Sequence, residues 1–225
     1  MTPDLIAFDF DGVLVDSEVL WSEAMASVLA RLGRPISVIE CRRRFTGISG
    51  RDVRAAIVAH QGTPLPDDFE ALVRAQACAA LAEKPRMVAG ADTLLQELDG
   101  SRCIVSNSGL AWIDLGLRGA GIDGYFPEDC RFSAAQVGKG KPAPDVYFLA
   151  ARTMQVPPAR CLVIEDSIHG VTAARAAGMP VVGFTGGSHI EDGHADVLLQ
   201  TGACAILQDL PALPDLLIRL YSDAV

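Results

Sequence analysis

Four short polar stretches carry side chains with chemical potential. Asp9 and Asp11 lie in Asp9-Phe10-Asp11-Gly12, and Ser106 and Asn107 in Ser106-Asn107-Ser108-Gly109. Lys141 lies in Gly138-Lys139-Gly140-Lys141-Pro142, and Glu165 and Asp166 precede Ser167. Taken singly, each has a plainer reading. Asp-x-Asp-Gly is a common turn whose glycine supplies positive φ, Ser-Asn-Ser-Gly and Glu-Asp-Ser can cap helices, and the lysine stretch is a solvated loop. Taken together, they suit phosphoryl transfer. Two or three carboxylates at one edge repel one another and shift their pKa values unless a divalent cation neutralises them. An all-oxygen ligand set favours Mg²⁺. A carboxylate can attack phosphorus to form an aspartyl-phosphate, while a neighbouring acid protonates the leaving oxygen and then activates water. A lysine and a hydroxyl can hold the remaining phosphate oxygens.

Three of these stretches follow short apolar runs, which the elements must bring to one edge. Leu5-Ile6-Ala7-Phe8, Cys103-Ile104-Val105 and Cys161-Leu162-Val163-Ile164 read as buried strands, with Val181-Val182-Gly183-Phe184 as a fourth. Helical stretches near Ala91 to Leu98, Ala111 to Gly119, Asp145 to Thr153 and Val171 to Ala177 alternate with them, the last stopped at Gly178 by a left-handed cap. Short Val/Ile/Leu strands alternating with helices predict a doubly wound, Rossmann-like α/β parallel sheet. Such sheets bind ligands beyond the carboxyl ends of their strands.

From Ser17 to Pro85 the spacing turns helical, as in Trp21, Met25, Val28, Leu29 and Leu32, and again in Phe69, Leu72, Val73 and Ala77. The expected division is an α/β core of residues 1–16 and 86–225 with an α-helical cap inserted at 17–85. Charge follows the division: the net −9 of the chain splits into +1 for residues 17–85 and −10 for the remainder. With 225 residues, half of them hydrophobic and 21% charged, the chain can bury a core and is not intrinsically disordered. Its acidity argues against partners that need clustered positive charge, namely nucleic acid and anionic membrane. Six scattered cysteines without C-x-x-C spacing read as free thiols. No signal peptide or membrane span is evident, so a cytoplasmic location is expected.

Asp9-Phe10-Asp11-Gly12-Val13-Leu14-Val15-Asp16-Ser17, the Ser106-Asn107-Ser108 tip, Lys141-Pro142-Ala143-Pro144-Asp145 and Glu165-Asp166-Ser167 resemble the four motifs of the haloacid dehalogenase superfamily, in order and spacing, across almost the whole chain. The insertion after the first motif is similar to the helical cap of the β-phosphoglucomutase-like phosphatase subgroup. Asp16-Ser17-Glu18, Thr46-Gly47-Ile48-Ser49-Gly50-Arg51 and Ala176-Ala177-Gly178-Met179 add to the match.

The resemblance implies Asp9 as nucleophile and Asp11 as general acid/base, the latter also lending its backbone carbonyl to the metal. It implies Ser106, Asn107 and Lys141 as phosphate-binding residues, and Asp9, Asp11, Asp166 and Glu165 as the Mg²⁺ site, with Glu165 either a ligand or a partner of one. Lys139 competes with Lys141, but only Lys141 directly precedes Pro-Ala-Pro-Asp. Presence of Asp11 favours phosphoester chemistry over dehalogenation. Phosphonate cleavage would call for a cap lysine, and the only one is Lys84, at its far end. Related mutases usually carry a histidine where Trp21 stands, so hydrolysis is expected, although Trp21 could equally be a core residue of the first cap helix. Thr46, Gly47 and Arg51 could reach the leaving group, while Arg51 could also begin a helix or face solvent. His189 after the fourth strand reads as part of a flexible turn, and His169 as a helix-start residue.

The expected function is a Mg²⁺-dependent phosphatase for a small phosphorylated metabolite, a sugar phosphate or phosphorylated organic acid such as phosphogluconate or phosphoglycolate, with no required protein partner. The alternatives are a sugar-phosphate mutase and a non-catalytic phosphometabolite-binding protein.

Overall fold

The computed structural model describes residues 2–45, 50–61, 64–83 and 86–222. Six strands, all parallel, form one sheet: β1 (Leu5–Phe8), β2 (Ser101–Ser106), β3 (Arg131–Ser133), β4 (Cys161–Glu165), β5 (Val181–Phe184) and β6 (Ala205–Leu207), in the order β3-β2-β1-β4-β5-β6. The chain winds outward from β1 to β3 on one side and then from β4 to β6 on the other. The winding therefore reverses between β1 and β4, and the carboxyl ends of that pair form the natural ligand crevice.

Alternation along the strands divides the core. Ile6, Phe8, Ile104, Leu162, Ile164, Val182 and Phe184 belong to one hydrophobic cluster, while Leu5, Ala7, Cys103, Val105, Cys161, Val163 and Val181 belong to another. Both faces are covered, which is why the central strands are continuous apolar runs. Helices α5 (Ala91–Glu97), α6 (Leu110–Ala120), α7 (Asp145–Thr153), α8 (Ile168–Ala176), α9 (His194–Thr201) and α10 (Leu213–Ser222) follow or precede the strands. Gly178, at φ 75°, supplies the left-handed stop after α8.

Between β1 and α5 the described residues form four helices, α1 (Ser17–Arg31), α2 (Val38–Phe45), α3 (Gly50–Gln61) and α4 (Phe69–Glu83), and no strand. Leu20, Val28 and Leu29 of α1 and Val73, Ala77 and Leu81 of α4 pack in the same cluster as Phe8, Phe10, Ile113 and Leu117. This helical segment is thus seated against α6 at the carboxyl end of the sheet. Among the described residues no helix is long and apolar enough to cross a membrane, and all six cysteines are free.

The fold adds two strands that the sequence pattern does not announce. β3 and β6 are three residues each at the sheet edges, and β3, although buried, is Arg131-Phe132-Ser133, so neither displays the apolar run of a central strand.

Candidate active site

Asp9 immediately follows β1, and its amide donates to Ile164 O of the neighbouring strand at 2.9 Å, so the end of β4 fixes its height. The turn behind it needs Gly12: φ is 82°, and a Cβ there would collide with Asp166 Oδ2. A side chain at position 12 would thus occupy the space that holds one of the acids.

Lys141 reaches this edge from the loop before α7. Its Nζ donates to Asp9 Oδ1 at 2.7 Å, Glu165 Oε2 at 2.8 Å and Val105 O at 2.7 Å, and lies 5.1 Å from the centre of the Tyr147 ring. Lys139, the competing lysine, is exposed. Asn107 fixes the Lys141 backbone from both ends of its amide: Lys141 N donates to Oδ1 at 2.8 Å, and Nδ2 donates to Lys141 O at 3.1 Å. Asn107 lines the cleft, but its amide is committed to holding Lys141 in place.

Glu165 is the last residue of β4 and is almost wholly buried. Its Oε2 also accepts from Tyr147 Oη at 3.2 Å, and its Oε1 accepts from Ser167 Oγ at 2.8 Å. Ser167 in turn caps α8, accepting from Gly170 N at 3.0 Å. The capping reading of Glu-Asp-Ser therefore holds for Ser167. Ser106 and Ser108, by contrast, make no cap: α6 is preceded by Gly109 without a side-chain cap bond, and both hydroxyls point at Asp11.

Asp9, Glu165 and Asp166 each present a carboxylate oxygen within 4.8 Å of the others. Burial, then Glu165, raises the Asp9 pKa well above the carboxylate range, with Lys141 opposing; Asp166 is raised by burial and Glu165 in the same way. Burial by itself would lower the Lys141 pKa, but Asp9 and Glu165 outweigh it and hold the ammonium well above its ordinary value. One ammonium against three buried carboxylates leaves surplus negative charge. A divalent cation with oxygen ligands fits that deficit.

The Asp11 carboxylate stands outside this trio. Its Oδ1 accepts from Ser17 Oγ at 2.5 Å and Trp112 Nε1 at 2.8 Å; its Oδ2 accepts from Ser108 Oγ at 2.6 Å and Ser106 Oγ at 3.2 Å. Trp21 of α1 packs against Trp112, the ring centres 5.5 Å apart. Trp21 lines the cleft and is not simply a core residue of its helix.

His189 is one of the site residues that sequence reasoning missed. The loop after β5 carries it back over the site, with Nε2 3.0 Å from Asp166 Oδ2. It is only partly exposed, and its buried Nδ1 has no partner. Burial lowers its pKa, partly offset by Glu18 and Asp16. Glu18, on the facing wall, has its own pKa raised by burial and by Asp11. His169 is exposed, as expected of a helix-start residue. Thr46, Gly47 and Lys84 lie outside the described residues, and of Arg51 only the backbone is described, in the first turn of α3.

The resulting cleft, of about 250 Å³, is lined by Asp9, Asp11, Glu18, Trp21, Lys141 and His189 among others. It has an acidic floor containing one ammonium, and a wall of hydroxyls and indole.

Residues 3–178 match the family model described as a haloacid dehalogenase-like hydrolase. The 6-phosphogluconate phosphatase of Escherichia coli is 29% identical over 187 residues, 83% of this chain and 84% of that protein. The validoxylamine A 7'-phosphate phosphatase of Streptomyces hygroscopicus is 34% identical over 201 residues, 86% of this chain and 91% of that protein. A hydrolase structure from Deinococcus radiodurans with bound phosphate and sodium superposes with a TM-score of 0.84 at 32% identity, covering 97% of this chain and 96% of that one.

Proposed function

The chain belongs to the haloacid dehalogenase-like hydrolases, and on that premise we propose that it is a Mg²⁺-dependent phosphatase of a small phosphorylated metabolite, a sugar phosphate or a phosphorylated organic acid. The observation that carries this reading is the buried group of Asp9, Lys141, Glu165 and Asp166 at the point where the sheet reverses its winding, with Asp11 beside it. The size of the cleft suits a small molecule, and the relatives named above are phosphatases of small phosphorylated compounds.

In the proposed reaction an Asp9 carboxylate oxygen attacks phosphorus while Lys141 and the Ser106 hydroxyl hold the other phosphate oxygens. Asp11 gives a proton to the departing oxygen, so the alcohol leaves neutral. Asp11 then takes a proton from water, whose oxygen attacks the aspartyl-phosphate, and inorganic phosphate leaves with Asp9 regenerated. Asp9, Asp166 and the Asp11 backbone carbonyl would hold Mg²⁺, with Glu165 beside them anchoring Lys141. Bound there, the cation offsets the charge of the phosphoryl group and the acids.

Residues 17–85 serve in this reading as a cap domain over the core of 1–16 and 86–225. Thr46, Gly47 and Arg51 are the cap residues proposed to meet the leaving group. Trp21, whose indole cannot exchange a proton, favours water over a sugar hydroxyl as the final acceptor. The deciding experiment is a panel of phosphorylated sugars, sugar acids and short organic acids, assayed for free phosphate and for isomers, with Mg²⁺ and with chelator. Phosphate release that needs Mg²⁺ and disappears in Asp9→Asn supports the reading. Isomerisation without net phosphate release points to a mutase, and turnover that survives Asp9→Asn or chelator overturns the assignments.

A further inference from the structure

Four donors surround the Asp11 carboxylate, but they are not equivalent. Ser17, Ser106 and Ser108 offer hydroxyls, each able to reverse and accept, whereas an indole N–H only donates. Trp112 is buried on α6, and its Nε1 lies 2.8 Å from Oδ1. The indole thus holds Oδ1 as an acceptor from one side, with the Ser17 hydroxyl on the same oxygen at 2.5 Å. Oδ2 faces only Ser108 Oγ at 2.6 Å and Ser106 Oγ at 3.2 Å, two hydroxyls that can turn to accept a proton from it or give way to a substrate oxygen.

We infer that Trp112 is a positioning residue that anchors the Asp11 carboxyl through Oδ1 and so sets the orientation in which this acid meets the leaving group. The inference rests on the reading of Asp11 as general acid and base. As the bond between phosphorus and the leaving oxygen breaks, its electron pair stays on that oxygen and the proton passes to it from the Asp11 carboxyl. In the second half-reaction the water oxygen bonds to phosphorus, the bond from phosphorus to the Asp9 oxygen breaks, and the water proton returns to the Asp11 carboxylate. An indole N–H can donate to Oδ1 in either protonation state of the carboxyl, so this anchor persists through the cycle. Trp21, packed against Trp112 with ring planes 33° apart, fixes the tilt of the indole that makes this bond.

The test uses the dependence of acid catalysis on leaving-group basicity. A sugar alkoxide needs protonation to leave, whereas p-nitrophenolate does not. kcat/KM for a sugar phosphate and for p-nitrophenyl phosphate is measured for the wild type, Trp112→Phe, Asp11→Asn and a protein with Trp112→3-benzothienylalanine, which keeps the ring area and replaces the N–H by sulfur. Near-ultraviolet circular dichroism checks that the fold is retained. The expected result for both Trp112 variants is a loss of about tenfold or more on the sugar phosphate against less than about threefold on the aryl ester, with a larger gap for Asp11→Asn. Equal losses on the two esters, or a benzothienyl protein indistinguishable from the wild type, overturn the role of Trp112. If Asp11→Asn itself fails to discriminate between the esters, the acid/base reading of Asp11 fails instead.

Discussion

Lys141 and Asp9, 132 residues apart in the sequence, form a buried ion pair with Nζ 2.7 Å from Oδ1. The same ammonium reaches Glu165, so a single cation holds together the ends of β1 and β4 across the sheet reversal.

Removing that ammonium leaves three buried acids with no compensating charge. Lys141→Met should lose about 3 kcal/mol or more of stability in cation-free buffer, the range for breaking a buried pair from one side. Urea unfolding measures it. Added Mg²⁺ should recover more stability in the variant than in the wild type, and an equal effect on both would contradict the charge argument.

Removing one acid should act the other way. Because the folded pKa of Asp9 is raised by burial and Glu165, the native state binds more protons than the unfolded chain between the ordinary carboxylate range and that raised value. Stability therefore falls as pH rises through this window, and the cost vanishes below it. Asp9→Asn should be more stable than the wild type at neutral pH without metal, by about 1–2 kcal/mol. The gain should shrink toward pH 4 in thermal melts; a constant difference across pH would sink the explanation.

His189 holds one Asp166 oxygen from the loop after β5. A histidine hydrogen-bonded to a ligating carboxylate orients it, and losing such a partner weakens cation binding about tenfold or more. Calorimetric titration of His189→Ala with Mg²⁺ should show that loss, and His189→Asn, which retains an N–H donor, should recover part of it. An unchanged dissociation constant for the alanine variant would mean that the contact does not serve the metal.

The buried thiols should resist alkylation. Burial, then Glu40, pushes Cys41 up to about 11; burial, then Asp4, pushes Cys161 to about 11; and burial above all holds Cys103 well above the thiol range. Thiolate is the reactive form. At pH 8 iodoacetamide should leave these three unmodified in the native protein and label them on unfolding, as read by peptide mass analysis.

The sequence is most legible where burial is complete. Leu5–Phe8, Cys161–Glu165 and Val181–Phe184 are covered on both faces, and such short apolar runs bounded by turn residues read as interior strands. β3 escapes notice because its first residue is Arg131, whose buried guanidinium donates to Asp114 Oδ1 and Phe126 O, each at 2.7 Å, partners that lie off the strand. At the site, residues at strand ends are legible because topology dictates where those ends meet. Trp112, Tyr147 and His189 are not, since the first two sit inside the apolar helices that follow their motifs, where an aromatic looks like any core residue, and the third comes from a loop after β5. Asn107 shows a subtler limit: its position is legible, but its engagement with the Lys141 backbone depends on a loop whose path no local pattern gives.

The two tryptophans that enclose Asp11 are the only two in the chain. All indole emission of the protein thus originates beside Asp11, from two rings 5.5 Å apart, one from the layer of inserted helices and one from the helix layer that covers the sheet. Intrinsic fluorescence is therefore a label already in place: a change in the spacing of those layers, or a ligand between Trp21 and the acids, alters the signal of the whole molecule without any dye.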